Sequence, residues 1–225
     1  MTGGGAGGVT SAGVGGVTSV RPGGGLRAVL ADYGAGNLRS VQSALARQGV
    51  EAVITSDPAT VREAALAIIA GVGHAESAMA GFVARGLDEA IRERAAAGRP
   101  VLGICVGLQL LFEEHEEGGR GLGLLAGPVR RVVAPRVPHM GWNTLRVLRP
   151  SPLLAGLDGE DVYFAHSFAV APTDRAVVAA EVDHGGPLCA AVDSGWVAGV
   201  QFHPERSAKP GERLLRNVMA WSRSA

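Results

Sequence analysis

Val101-Leu102-Gly103-Ile104-Cys105-Val106-Gly107-Leu108-Gln109-Leu110-Leu111-Phe112 sets a cysteine between a short apolar run, 101–104, and an apolar helix-like stretch, 108–112. Strand, sharp turn and helix, with glycine two positions either side of a nucleophile-capable residue, is the pattern of a nucleophile elbow, here with cysteine in place of serine. Gly103 and Gly107 let strand and helix approach where a side chain would clash. At the N-terminus of that helix, unpaired N–H groups and the helix dipole favour the thiolate, so a pKa below the free value of about 8.5 is expected. A lone cysteine in an apolar run more often packs as a small hydrophobe. A second segment decides against that reading.

Residues 197–202 read as a buried strand that ends in His203-Pro204-Glu205. A base at a strand end, with a carboxylate two residues on and a proline stiffening the connection, supplies a general base and a group to orient it. Cys105, His203 and Glu205 then form a triad in the generalised sense, Glu205 fixing the imidazole tautomer and stabilising the imidazolium.

The chain has 225 residues, 21 Lys and Arg against 21 Asp and Glu, and two cysteines, Cys105 and Cys189. That length suits one sizeable domain with its own core. Zero formal charge without a basic run gives no electrostatic footprint for nucleic acid. Two cysteines with no CxxC pair point to a reducing compartment and away from a disulfide scaffold or a zinc site. His115 and His184 show no ligand spacing and read as surface or satisfied polar residues; no metal or cofactor is expected. Residues 1–25 are glycine-rich, lack the apolar core of a secretory signal, and cannot bury enough surface to offset their ordering entropy. They are expected to be a disordered tail before a domain at 26–225. No run has the length of a membrane span, and the expected location is the cytoplasm.

The first half alternates strand and helix signals: strands at 26–31, 50–54 and 66–70, and helices at 37–48, from Asp57-Pro58, and at 87–97. This alternation predicts an α/β fold with an open, mostly parallel sheet flanked by helices. The second half is strand-rich, at 129–133, 145–148, 162–164, 177–182 and 188–192, before a final helix from about Glu212. Ligands of open parallel sheets bind beyond the carboxyl ends of the strands. Asp32-Tyr33-Gly34, Gly71-Val72-Gly73, Cys105 and His203 all follow predicted strands and so should share one edge. Gly34 and Gly36 invite a dinucleotide reading, but Arg39 stands where the third glycine of that fingerprint belongs.

The elbow GICVGLQLLF and the segment GVQFHPERS resemble the two signatures of class I, triad-type glutamine amidotransferases. Two further segments, DYGAGNLRSV at 32–41 and PHMGWN at 138–143, are similar to the glutaminase subunit of imidazole glycerol phosphate synthase, from histidine biosynthesis. The similarity runs from about Leu26 into the C-terminal helix. It implies the class I amidotransferase fold, hydrolysis of glutamine through a cysteinyl thioester, and transfer of ammonia to a partner cyclase subunit of β/α-barrel fold. Two other classes stay open: a different thiol hydrolase, such as a peptidase or a glutaminase domain serving another pathway, and a catalytically silent binding subunit.

Amide hydrolysis also needs an anion hole. One donor is expected at the N–H of Val106, the residue after the nucleophile. The Gly71-Val72-Gly73 loop reads equally as an ordinary glycine turn; the resemblance assigns the Val72 N–H as the second donor. Gln109 lies one helical turn after Cys105 on the same face and could reach bound glutamine. The resemblance adds Gly73, Ser167 and Phe168 as substrate contacts, and Asn37, Met140, Trp142 and Arg206 as a partner face. Ala70 departs from the family pattern, standing where proline usually precedes the GVG loop.

Overall fold

The computed structural model describes Met1 and residues 28–224. The predicted disorder of 1–25 lies outside the described residues, apart from Met1.

An eight-stranded sheet forms the centre, in the order β2-β1-β3-β4-β13-β12-β11-β8. Its first five strands, β2 (Ala52–Thr55), β1 (Ala28–Ala31), β3 (Leu66–Gly71), β4 (Val101–Cys105) and β13 (Val197–Val200), run parallel. Strands β12 (Pro187–Ser194), β11 (Val178–Asp183) and β8 (Arg146–Val147) continue it antiparallel. The central strands β3 and β4 are buried along their whole length, which is why they read as unbroken apolar runs.

Helices α1 (Leu38–Arg47) and α6 (Ala208–Ser224) pack on one another, while α2 (Pro58–Glu63), α3 (Ala75–Val83), α4 (Leu87–Ala96) and α5 (Val106–Leu110) form a second group. In α1 the core side is Leu38, Val41, Ala44 and Leu45, the spacing of one helical face. Asp57 caps α2, accepting from the N–H groups of Ala59 and Thr60 at 3.3 and 2.9 Å, with Pro58 in the first turn.

Two small sheets complete the second half: β10 (Phe168–Val170), β6 (Leu125–Arg131) and β5 (Phe112–His115), and the pair β7 (His139–Thr144) with β9 (Asp161–His166). Here several boundaries differ from expectation. The helix expected at 108–112 is α5, which starts at Val106, directly after Cys105, and gives way to strand at Phe112. The strand expected at 129–133 is β6, which starts four residues earlier because Leu125 and Val129 are its buried anchors. The final helix begins at Ala208 instead of Glu212, with Pro210 in its first turn, where a missing N–H costs no bond.

Candidate active site

β1, β3, β4 and β13 are neighbours, so the segments that follow them converge at one sheet edge, as the strand pattern predicts. The order β2-β1-β3 reverses the winding between β1 and β3, and such a switch point opens a crevice at the strand ends.

Cys105 ends β4 and caps α5 with φ 55° and ψ −112°, a conformation sterically costly for a residue with a Cβ. The glycines around it make the turn possible. A Cβ on Gly103 would lie 2.6 Å from the backbone of Gly107 and Leu108, and one on Gly107 would lie 1.8 Å from the Ile69 carbonyl oxygen. Helix α5 is therefore clamped against β4 and β3, and the sulfur emerges at the sheet edge.

His203 reaches the same place from the neighbouring strand. Its backbone N–H donates to the Tyr163 carbonyl at 2.8 Å, and the Ser207 hydroxyl donates to its carbonyl at 2.6 Å. Nδ1 lies 2.9 Å from Glu205 Oε1, and both side chains are buried. Burial opposes charging of this imidazole, but a hydrogen bond to Cys105, the bond to Glu205 and the negative charges of both outweigh it, lifting the pKa to about 10. Glu205 Oε2 is buried without a hydrogen-bond partner among the described residues.

A cleft of about 460 Å³ opens over the sulfur, large enough for a free amino acid. Val72, Gly73, Cys105, Val106, Gln109 and the segment from Ala165 to Phe168 line it, so the expected anion-hole and substrate-contact residues share one cavity. Beneath the 71–73 loop, the Tyr33 hydroxyl donates to the Ala70 carbonyl at 3.1 Å. Gln109 Nε2 donates to the Phe168 carbonyl at 2.9 Å and to Gln201 Oε1 at 3.2 Å, so its amide is held by both sides of the cleft.

Of the expected partner face, Met140 and Trp142 are 64% and 54% exposed although both are large and apolar. Arg206 lies over the Tyr163 ring at 4.0 Å and Trp142 meets the same ring edge-on at 6.1 Å. Asn37 is exposed, at the start of α1 beside the loop after β1. Met140 borders the cleft itself.

Three groups were not singled out by sequence reasoning. Gln201, fully buried, donates from Nε2 to Cys105 Sγ at 3.7 Å. His139 and His166 are paired through Nδ1 and Nε2 at 3.0 Å, and His166 Nδ1 contacts the Phe168 carbonyl at 2.9 Å. Burial, joined by neighbouring histidines, holds both down to about 4. A polar residue inside the apolar run 197–202 was the available signal for Gln201. His184 stacks on His139 at 4.0 Å. Among the described residues no cluster of His, Cys, Asp or Glu could hold a metal ion.

The fold and the cysteine–histidine–glutamate arrangement define a class of enzyme, and comparison with known proteins agrees. Residues 29–220 match the family model for class-I glutamine amidotransferases. Solved structures of similar fold include one described as a glutamine amidotransferase, at TM-score 0.72 and 24% identity over 88% of this chain and 99% of that one. Another is the structure of PurLQS from Thermotoga maritima, at TM-score 0.70 and 24% identity over 87% and 98%. Curated relatives are more similar in sequence. The imidazole glycerol phosphate synthase subunit HisH of Syntrophotalea carbinolica is 47% identical over 200 residues, 84% of this chain and 97% of its own length. HisH of Xylella fastidiosa is 50% identical over 195 residues, 84% and 95%. The chain belongs to the class-I glutamine amidotransferase family, within its HisH branch.

Proposed function

We propose that this chain is the glutaminase of an imidazole glycerol phosphate synthase: it hydrolyses glutamine and delivers the ammonia to a cyclase subunit in histidine biosynthesis. The observation that carries this reading is the hydrogen bonding of Cys105, which lines a cleft of amino-acid size, to a His203 held by Glu205, in a chain nearly half identical to HisH subunits.

In the reaction, the Cys105 thiolate adds to the side-chain amide carbon of glutamine. The N–H groups of Val106 and Val72 receive the charge developing on the carbonyl oxygen. His203, protonated and held by Glu205, gives its proton to the departing nitrogen as the C–N bond breaks, leaving a thioester and ammonia. His203, now neutral, takes a proton from water as the water attacks the thioester, which releases glutamate and restores the thiolate–imidazolium pair. Gly73, Ser167 and Phe168 contact the substrate. Gln109 commits its NH₂ to Phe168 and Gln201, which leaves Oε1 to accept a hydrogen bond from glutamine.

The partner is a cyclase subunit of β/α-barrel fold that uses the ammonia to form imidazole glycerol phosphate and an aminoimidazole carboxamide ribonucleotide. Asn37, Met140, Trp142 and Arg206 face it, an assignment that fits the exposure of two large apolar side chains, of which Met140 borders the cleft. No helix among the described residues is long and apolar enough to cross a membrane; the cytoplasm suits a biosynthetic glutaminase.

Cys105→Ala and Cys105→Ser test the reading. Both should abolish glutamine-dependent synthesis by the reconstituted complex while synthesis from ammonium salt survives. Loss of both activities in an assembled complex would overturn the division of labour, and retained glutaminase activity would overturn the assignment of the nucleophile.

A further inference from the structure

We propose that Gln201 is a positioning residue for the nucleophile, one Nε2–H being aimed at Cys105 Sγ across 3.7 Å in a direction dictated by the Phe168 carbonyl through Gln109.

The direction of the chain follows from one atom. A backbone carbonyl oxygen can only accept, so Gln109 must turn its NH₂, and not its oxygen, toward Phe168. The same nitrogen lies 3.2 Å from Gln201, which must therefore present its oxygen to Gln109. Gln201 is left with its NH₂ toward the sulfur. Reversing either amide would place two oxygens or two NH₂ groups face to face in a buried site, and such a mispairing is costly.

The Phe168 carbonyl is itself fixed from the far side. His166 is neutral and must carry its hydrogen on Nδ1 to donate to that oxygen, so its Nε2 accepts from His139 Nδ1–H. His139 Nε2 in turn accepts from the Asn143 amide at 3.1 Å. Two donors, the His166 ring and the Gln109 amide, thus fill both lone pairs of one carbonyl. The backbone of Gln201 is also held, its N–H donating to the Ala190 carbonyl at 2.9 Å.

An N–H aimed at sulfur is worth more to a thiolate than to a thiol, because hydrogen bonds to charged groups are the stronger. Gln201 therefore does two things: it fixes the direction of a sulfur that sits on a strained turn, and it favours its charged form. His203 cannot serve alone in this role, because it surrenders its proton during turnover.

The inference rests on Cys105 as the nucleophile, so its tests read the sulfur without glutamine. The full-length chain is alkylated with iodoacetamide across pH, and modification of the Cys105 peptide is followed by mass spectrometry. Gln201→Met and Gln201→Leu, which keep length or volume without an N–H, should raise the midpoint of the alkylation profile by about one pH unit, lowering the thiolate fraction below that midpoint about tenfold. An unchanged midpoint in either folded variant overturns the proposal. A third measurement leaves Gln201 intact: in ¹⁵N-labelled protein, its side-chain amide protons should shift with pH at the Cys105 midpoint, and the shift should vanish in Cys105→Ala. Absence of that shift overturns the proposal even if neither variant folds. Failure here with a glutaminase still dependent on Cys105 removes only the role of Gln201; the converse removes the proposed function.

Discussion

Gly107 and Ile69 meet backbone to backbone: a Cβ on the glycine would fall 1.8 Å from the isoleucine's carbonyl oxygen. Neither partner is a flexible side-chain end, so the clash has to be relieved by moving α5 away from β3. That displacement would carry the turn at Cys105 with it. Gly107→Ala should destabilise the protein by about 3 kcal/mol or more, at the upper end of overpacking costs, and suppress glutaminase activity in whatever folds. Gly49→Ala, whose site has open space and only a positive φ of 72°, should cost about 1–2 kcal/mol. Urea denaturation of the two variants checks the order; equal midpoints would show that α5 can yield.

The buried histidines set the pH range of stability. His139 and His166 have folded pKa values near 4, below the ordinary 6.5, so the unfolded chain binds more protons between these limits. Their contribution is complete above pH 6.5 and is lost as pH falls toward 4, by up to about 1.4 kcal/mol per pH unit for each group. His203 works in the opposite sense. Its pKa near 10 means that its stabilising charge is present below pH 6.5 and lost as pH rises toward 10. Unfolding midpoints measured from pH 4 to 10 should fall on both sides. His203→Asn should flatten the alkaline limb alone.

The two cysteines should differ sharply in reactivity. Cys189 is buried, its Sγ lies 3.6 Å from the Ala191 carbonyl, and burial pushes its thiol up to about 12. At pH 7.5 iodoacetamide should label one site per native chain, Cys105, and Cys189→Ser should keep glutaminase rates within about twofold. Labelling of Cys189 at a comparable rate would contradict its place in the core.

Truncation addresses the glycine-rich tail. A chain starting near Gly23, without most of the glycine-rich segment, should keep its melting temperature and partner affinity. A fall of several degrees would make the tail structural.

The turn at Cys105 was legible because its constraint is local: Gly103 and Gly107 flank that residue in sequence as they do in space. The carboxyl-end cluster was legible because parallel strands between helices leave little choice of edge. What stayed hidden has a common cause. Helix α3 lacks a side-chain cap and carries Gly81 in its interior, so neither of its ends announces itself. Strand β7 reads His-Met-Gly-Trp-Asn-Thr, mostly solvent-facing, and owes its shape to register with β9, from His139 opposite His166 to Thr144 opposite Asp161. Gln201 and the paired histidines act across long sequence separations, which no local periodicity records.

Strand β13 lies beside β4, with Val200 opposite Ile104, although the chain travels through the whole strand-rich half between them. During synthesis Cys105 leaves the ribosome well before His203, and β4 cannot pair with β13 until that strand has been made. A growing chain therefore carries Cys105 without the His203–Glu205 pair and without Gln201 beside it. On the proposed assignment of the site, a chain can hydrolyse glutamine only after β13 has paired with β4.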